Sequence, residues 1–139
     1  EAARESAEKL GIERPKLLAI TVLTSFDDKS WTSIGGQLPI SDQVIRLAKL
    51  AKESGMDGVV CSALEAKMIR EACGPDFLIV TPGIRPSFAA TNDQKRIATP
   101  SSALQDGASR LVIGRPITQA ENPQEAVRLI IEEMESVSK

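Results

Sequence analysis

The chain has 139 residues, 42% hydrophobic and 26% charged, which is enough to bury one core and ordinary for a soluble domain. A net charge of -2 and a pI near 5.3 exclude a broad polyanion-binding surface, so no nucleic-acid partner is expected and any basic site must be local. The absence of histidine removes the usual general base, the Ser-His and Cys-His nucleophile pairs and the commonest metal ligand.

Glu1 to Leu10 is rich in good helix formers, and Gly11 stands where a helix C-terminal cap belongs. The chain thus opens inside a helix, with no Met and no capping residue ahead, and we expect a segment N-terminal to it. Glu-Ala-Ala-Arg-Glu is no signal peptide, and no apolar run approaches the ~20 residues of a membrane span, so a cytoplasmic protein without a membrane partner is expected. Leu17 to Leu23 is a near-continuous apolar run of strand length, as in a parallel strand covered on both faces. Phe26 to Ile40 is a long polar connection, part of it a short helix. Within it, Asp27 and Asp28 read as a solvated pair and Trp31 as a loop anchor or interface residue.

Ser41 or Asp42 can cap a helix running to Ser54, with Val44, Ile45, Ala48 and Ala51 on one side. Asp57 to Cys61 is a second strand. Ser62 and Glu65 have the spacing of a capping box, followed by a helix to Cys73 whose Lys67 and Arg70, like Lys49 and Lys52 before them, read as solvent-facing. Gly74-Pro75 breaks that helix, and Phe77 to Val80 is a third strand. Pro86 to Arg96 is polar and irregular. Thr99-Pro100 opens a short helix that Gly107 closes, and Leu111 to Ile113 is the fourth strand. Asn122-Pro123 opens the last helix, with Ala126, Leu129, Ile130 and Met134 as its buried stripe. Cys61 in a strand and Cys73 at a helix end read as reduced core thiols.

Strand and helix alternate strictly, without hairpin signals, which predicts an α/β fold with a parallel sheet and right-handed crossovers. In such a fold, ligands sit beyond the C-terminal ends of the strands. That selects Thr24-Ser25, Ser62, Pro82 to Arg85, and Gly114-Arg115. Gly114 and Arg115 offer backbone N–H donors and a guanidinium fork matched to phosphate oxygens; the competing reading is a turn glycine followed by a surface arginine. Arg85 is either a second phosphate ligand or a loop arginine beside Asp93, and Gln94 is otherwise a solvated loop amide. Thr24 can hydrogen-bond an amide-like ligand or satisfy local backbone.

Five stretches carry a family resemblance: Leu-Leu-Ala-Ile-Thr-Val-Leu-Thr-Ser, Asp-Gly-Val-Val-Cys-Ser, Val-Thr-Pro-Gly-Ile-Arg-Pro, Asn-Asp-Gln-Lys-Arg and Val-Ile-Gly-Arg-Pro-Ile-Thr. In this order they resemble the C-terminal half of the bacterial orotidine 5'-phosphate decarboxylase family, along the whole chain. The resemblance implies a single segment, residues 1–139, forming strands five to eight of a (β/α)8 TIM barrel, with the barrel's N-terminal half as its partner. It implies conversion of orotidine 5'-phosphate to UMP and CO2 in pyrimidine biosynthesis, without metal or cofactor, by a homodimer. Thr24 would then hydrogen-bond the pyrimidine edge and Pro82 would line the base pocket. Arg85 and Gln94 would hold the phosphate from the loop after the seventh strand, together with Gly114 and Arg115.

One departure qualifies the match. The family's proton-transfer residues are a Lys and Asp array including Asp-x-Lys-x-x-Asp, and here Asp93-Gln94-Lys95 is followed by Ala98 where the second Asp belongs. The catalytic array is therefore expected outside this chain, leaving the segment inactive alone. Two other readings compete. One is another phosphate-binding barrel such as keto-gulonate phosphate decarboxylase, against which Thr24 and the Arg85 to Gln94 stretch argue. The other is a non-catalytic nucleotide-binding module.

Overall fold

The computed structural model describes residues 1–89 and 96–138. Among them the chain runs α1 (Ala2–Leu10), β1 (Leu18–Ile20), α2 (Asp28–Ser33), α3 (Ile40–Glu53), β2 (Gly58–Val60), a 3-10 turn (Ala63–Glu65), α4 (Ala66–Cys73), β3 (Leu78–Thr81), α5 (Pro100–Gln105), β4 (Arg110–Leu111), α6 (Arg115–Thr118) and α7 (Pro123–Glu135). The described strands form one parallel sheet in the order β1-β2-β3-β4, so each crossover connects neighbouring strands. The alternation read from the sequence is present in full.

Registered partners share a face of the sheet, and the two faces differ sharply. Ala19, Val59 and Ile79 face α3 and α4, where they pack with Val44, Ala48, Ile69 and Cys73. Thr81 and Leu111 continue that face toward a smaller cluster of Ala63, Ile84, Ala103 and Ala108. On the opposite face stand Leu18, Ile20, Val60, Val80 and Val112, of which Ile20 is 68% and Val112 52% exposed. Continuous apolar strands predict cover on both faces; the described residues provide it on one. Gly58 lies on this second face, and a Cβ there would stand 2.2 Å from the Leu78 carbonyl oxygen, so glycine permits β2 to approach β3.

Several local signals act as expected. Gly11 adopts φ 63° and donates to the carbonyls of Ala7 and Glu8, closing α1. Thr99 and Ser102 form a capping box on α5, and Asn122 Oδ1 accepts from the Glu125 N–H at the start of α7. Cys61 and Cys73 are free, buried thiols. Trp31 is a loop anchor: its ring meets Phe26 edge-on at 6.2 Å and its Nε1–H donates to the Leu38 carbonyl at 2.9 Å.

Other expectations need correction. The acidic pair is not simply solvated: Asp27 caps α2 by accepting from the Ser30 N–H at 2.8 Å, and Asp28 accepts from the Ile40 N–H at 3.1 Å. Helix α3 is thus capped by a side chain twelve residues earlier, and neither Ser41 nor Asp42 is its cap. The fourth strand is shorter and earlier than Leu111 to Ile113, and the short helix α6 follows Gly114 unannounced. On α7, Ala126 and Ile130 are buried, whereas Leu129 is 36% exposed and Met134 only half-buried.

Arg70 is the clearest correction, because it is a half-buried organiser and not a solvent-facing charge. Its guanidinium donates to the carbonyls of Gly74, Pro75, Phe77 and Gly107 at 2.7 to 2.9 Å, and to Ser109 Oγ at 2.9 Å. It thereby ties the entrances of β3 and β4 to the end of α4. Replacing it strands several carbonyls that a charged donor had satisfied. Arg70→Met is expected to lower the unfolding free energy by about 2–4 kcal/mol, read as a lower urea midpoint at unchanged slope. An unchanged midpoint would count against this role.

Candidate functional site

Beyond the C-terminal ends of β1, β2 and β3 lies a cavity of about 290 Å³, lined by Ile20, Val22, Leu23, Thr24, Ser25, Val60, Cys61 and Pro82. Three sequence-selected residues, Thr24, Ser25 and Pro82, therefore share one concavity although 58 positions separate Thr24 from Pro82. The walls are mostly apolar, and Thr24, 8% exposed, and Ser25 are the hydroxyl-bearing residues among them. Such a lining, apolar with a few polar groups, is typical of a small-molecule site.

Arg85 lies four residues past the end of β3, is 6% exposed, and sends Nη1 to the Ile84 carbonyl at 2.8 Å. Its backbone N–H donates to the Ala98 carbonyl at 2.9 Å, beside a parallel bridge between Ile84 and Ala98. Gly114 is exposed and caps α6, its carbonyl accepting from the Ile117 N–H at 2.8 Å; Arg115 is the half-buried first residue of that helix. At φ -106°, with nothing within 4 Å of a Cβ built upon it, Gly114 is not required by the chain's own packing. Arg85, Gly114 and Arg115 stand at the same end of the sheet as the cavity but do not line it. Gln94 lies outside the described residues.

Sequence reasoning missed a buried pair at this end. Glu65 is 4% exposed and its carboxylate meets the Arg96 guanidinium. Arg96 Nη2 also donates to the Leu23 carbonyl at 3.0 Å, and Ser62 Oγ donates to the Arg96 carbonyl at 3.4 Å. The capping box expected of Ser62 and Glu65 is altered accordingly. Ser62 Oγ accepts from the Leu64 N–H at 3.3 Å and starts a 3-10 turn, while Glu65 is drawn toward Arg96. Burial pushes the Glu65 carboxyl above the usual range, with Arg96 and the Ser62 backbone opposing it. Burial, aided by the nearby Glu65 charge, pushes the Cys61 thiol up to about 12, so it lines the cavity as a neutral, unreactive group. No signal in the sequence pairs residues 65 and 96; the only pointer was the Arg that ends Asn-Asp-Gln-Lys-Arg.

A larger cleft of about 440 Å³ opens at the other end of the sheet, between Lys16, Lys52, Asp57, Cys73 and Phe77. Two of its charged residues are engaged locally, Asp57 with Arg14 at 2.7 Å and Lys52 with the Cys73 carbonyl at 2.9 Å. It lies at the N-terminal strand ends, where parallel α/β folds place stability and not chemistry. Among the described residues, no three His, Cys, Asp or Glu side chains are grouped to hold a metal ion, and no helix is long and apolar enough to cross a membrane.

Residues 1–130 match the model of the orotidine 5'-phosphate decarboxylase / HUMPS family. The chain belongs to this family. An orotidine 5'-phosphate decarboxylase of Trichlorobacter lovleyi is 61% identical over 88% of the chain, and one of Rhodospirillum rubrum is 54% identical over 96%. The match covers 51% and 54% of those proteins, so the chain spans about half the length of the curated relatives it resembles. The crystal structure of an orotidine 5'-phosphate decarboxylase from Lactobacillus acidophilus superposes with a TM-score of 0.72 at 47% identity, over 89% of this chain and 51% of that one. A decarboxylase from Pyrococcus horikoshii shares the fold at a TM-score of 0.57 and 22% identity. The four-stranded parallel sheet is therefore the C-terminal half of a (β/α)8 barrel, as the five stretches implied. The keto-gulonate alternative is not favoured by relatives that carry the orotidine name.

Proposed function

We propose that this chain is the substrate-gripping segment of an orotidine 5'-phosphate decarboxylase, whose catalytic Lys and Asp residues lie in the other half of the barrel. The observation that carries this reading is the cavity shared by Thr24 and Pro82 at the C-terminal strand ends, the end of the sheet at which Arg85 and Arg115 also stand. Thr24 hydrogen-bonds the pyrimidine edge and Pro82 packs on the ring. Arg85, Gln94, the Gly114 N–H and the Arg115 guanidinium hold the 5'-phosphate; at Gly114 the lack of a side chain lets an oxygen reach the backbone.

In the reaction, the bond from pyrimidine carbon six to the carboxylate breaks, CO2 leaves, and the electron pair stays on carbon six until a Lys protonates it. Contacts to the remote phosphate assist by anchoring substrate where the developing carbanion is stabilised. The apolar face of Leu18, Ile20, Val60, Val80 and Val112, exposed at Leu18, Ile20 and Val112 and half-buried at Val60 and Val80, is the surface that the other half of the barrel covers. Work as a homodimer in the cytoplasm belongs to the same reading; two unpaired thiols accord with that compartment.

A full-length protein carrying this segment, supplied with orotidine 5'-phosphate, is expected to release CO2 and form UMP without added metal or cofactor. A keto-gulonate phosphate is expected to remain unchanged. Turnover of the sugar phosphate alone would overturn the reading in favour of another phosphate-binding barrel. UMP binding without turnover of either substrate would favour a non-catalytic nucleotide-binding module.

A further inference from the structure

The Glu65–Arg96 pair is a buried charge cluster that the proposed chemistry does not use. Its placement is unusual, because one guanidinium, carried by the segment after β3, contacts the segments that follow two other strands. Arg96 comes after β3, Glu65 follows β2, and the carbonyls of Val22 and Leu23, at 3.4 and 3.0 Å from Arg96 Nη2, follow β1. Leu23 immediately precedes Thr24. Two residues beyond Arg96, the Ala98 carbonyl accepts the Arg85 N–H at 2.9 Å. A short covalent and hydrogen-bonded path therefore runs from Thr24 through Leu23 and Arg96 to Ala98 and Arg85. At one end is the residue assigned to the pyrimidine, at the other a residue assigned to the phosphate.

We infer that Arg96 and Glu65 are positioning residues that hold the pyrimidine-binding and phosphate-binding groups in one frame, so that a single nucleotide engages both. This inference rests on the proposed function. The pair suits the task chemically. A guanidinium presents separate N–H groups to a carboxylate and to carbonyls, which a point-charge ammonium cannot do in one geometry. Glu65 and its Arg96 partner are enclosed by residues of this chain, Glu65 being 4% exposed. An uncompensated Glu65 would also be costly, which ties correct folding of the β2 turn to the arrival of Arg96.

The test uses a full-length protein carrying this segment and compares the affinities of UMP and uridine, which differ only in the phosphate. Arg96→Met alone leaves a buried charge and risks misfolding, so the informative variant is Arg96→Met with Glu65→Leu, which replaces the pair by apolar groups of similar volume. Arg96→Lys is the conservative companion. With its unfolding transition intact, the double variant is expected to lose about 10–100-fold of the preference for UMP over uridine, while uridine binding stays within about twofold. Arg96→Lys is expected to fall between the two, keeping the charge opposite Glu65 but not the Leu23 contact. A merely structural pair would weaken both ligands equally, and a double variant with the parental preference would overturn the inference while the proposed function stands. A parent protein without any preference for UMP would overturn both, which separates the two failures.

Discussion

Arg115→Ala in a full-length protein carrying this segment is expected to lower kcat/KM for orotidine 5'-phosphate by about 10²–10³-fold, chiefly through KM. Loss of one member of a buried, hydrogen-bonded charge pair costs about 2–5 kcal/mol, and each 1.4 kcal/mol is a factor of ten. Arg115 is half-buried at the first turn of α6, immediately after the glycine at which backbone N–H groups can meet the same anion. Arg115→Lys should recover only part of the loss, because an ammonium cannot present the fork that matches two phosphate oxygens. Steady-state kinetics on the purified variants decide the matter. An unchanged kcat/KM for Arg115→Ala would remove Arg115 from the phosphate site and return it to the role of a surface arginine after a turn glycine.

The 139-residue chain purified by itself is expected to show no decarboxylation of orotidine 5'-phosphate. Two reasons act together. Asp93-Gln94-Lys95 is followed by Ala98 and not by an Asp, and under the proposed function the groups that stabilise and protonate the carbanion come from the other half of the barrel. Among the described residues the sheet also ends in two unpaired parallel strands, β1 and β4, and shows Ile20 at 68% and Val112 at 52% exposure on its uncovered face. Open edges and an apolar face favour association over a rigid, isolated site. A spectrophotometric assay on material free of any full-length enzyme is the measurement. Turnover above background by the 139-residue chain would overturn the assignment of catalysis to the other half of the barrel.

Much of the fold was legible because its signals are local. The Gly11 cap, the Thr99 capping box, the Asn122 cap and the apolar runs of the strands all act within a few residues, where propensity and periodicity operate. The candidate site was partly legible for a related reason: parallel α/β sheets put ligands past the C-terminal strand ends, so locating the strands located Thr24, Pro82, Arg85, Gly114 and Arg115. Errors fell where a side chain acts at a distance. Asp28 reaches forward to cap α3, and Arg70 leaves its helix face to serve carbonyls up to Gly107. Neither action leaves a trace in spacing.

Sequence alone, then, determined the alternation of strands and helices, the parallel sheet, the two core thiols and the end of the sheet at which the candidate residues stand. Only the tertiary structure decided that Thr24 and Pro82 share one cavity, that one sheet face is covered and the other apolar and open, and that Glu65 pairs with Arg96. The physical reason is range. Backbone preference and hydrophobic period are written in neighbouring residues, whereas the partner of a buried charge is whatever the crossovers bring beside it, here 31 positions along the chain.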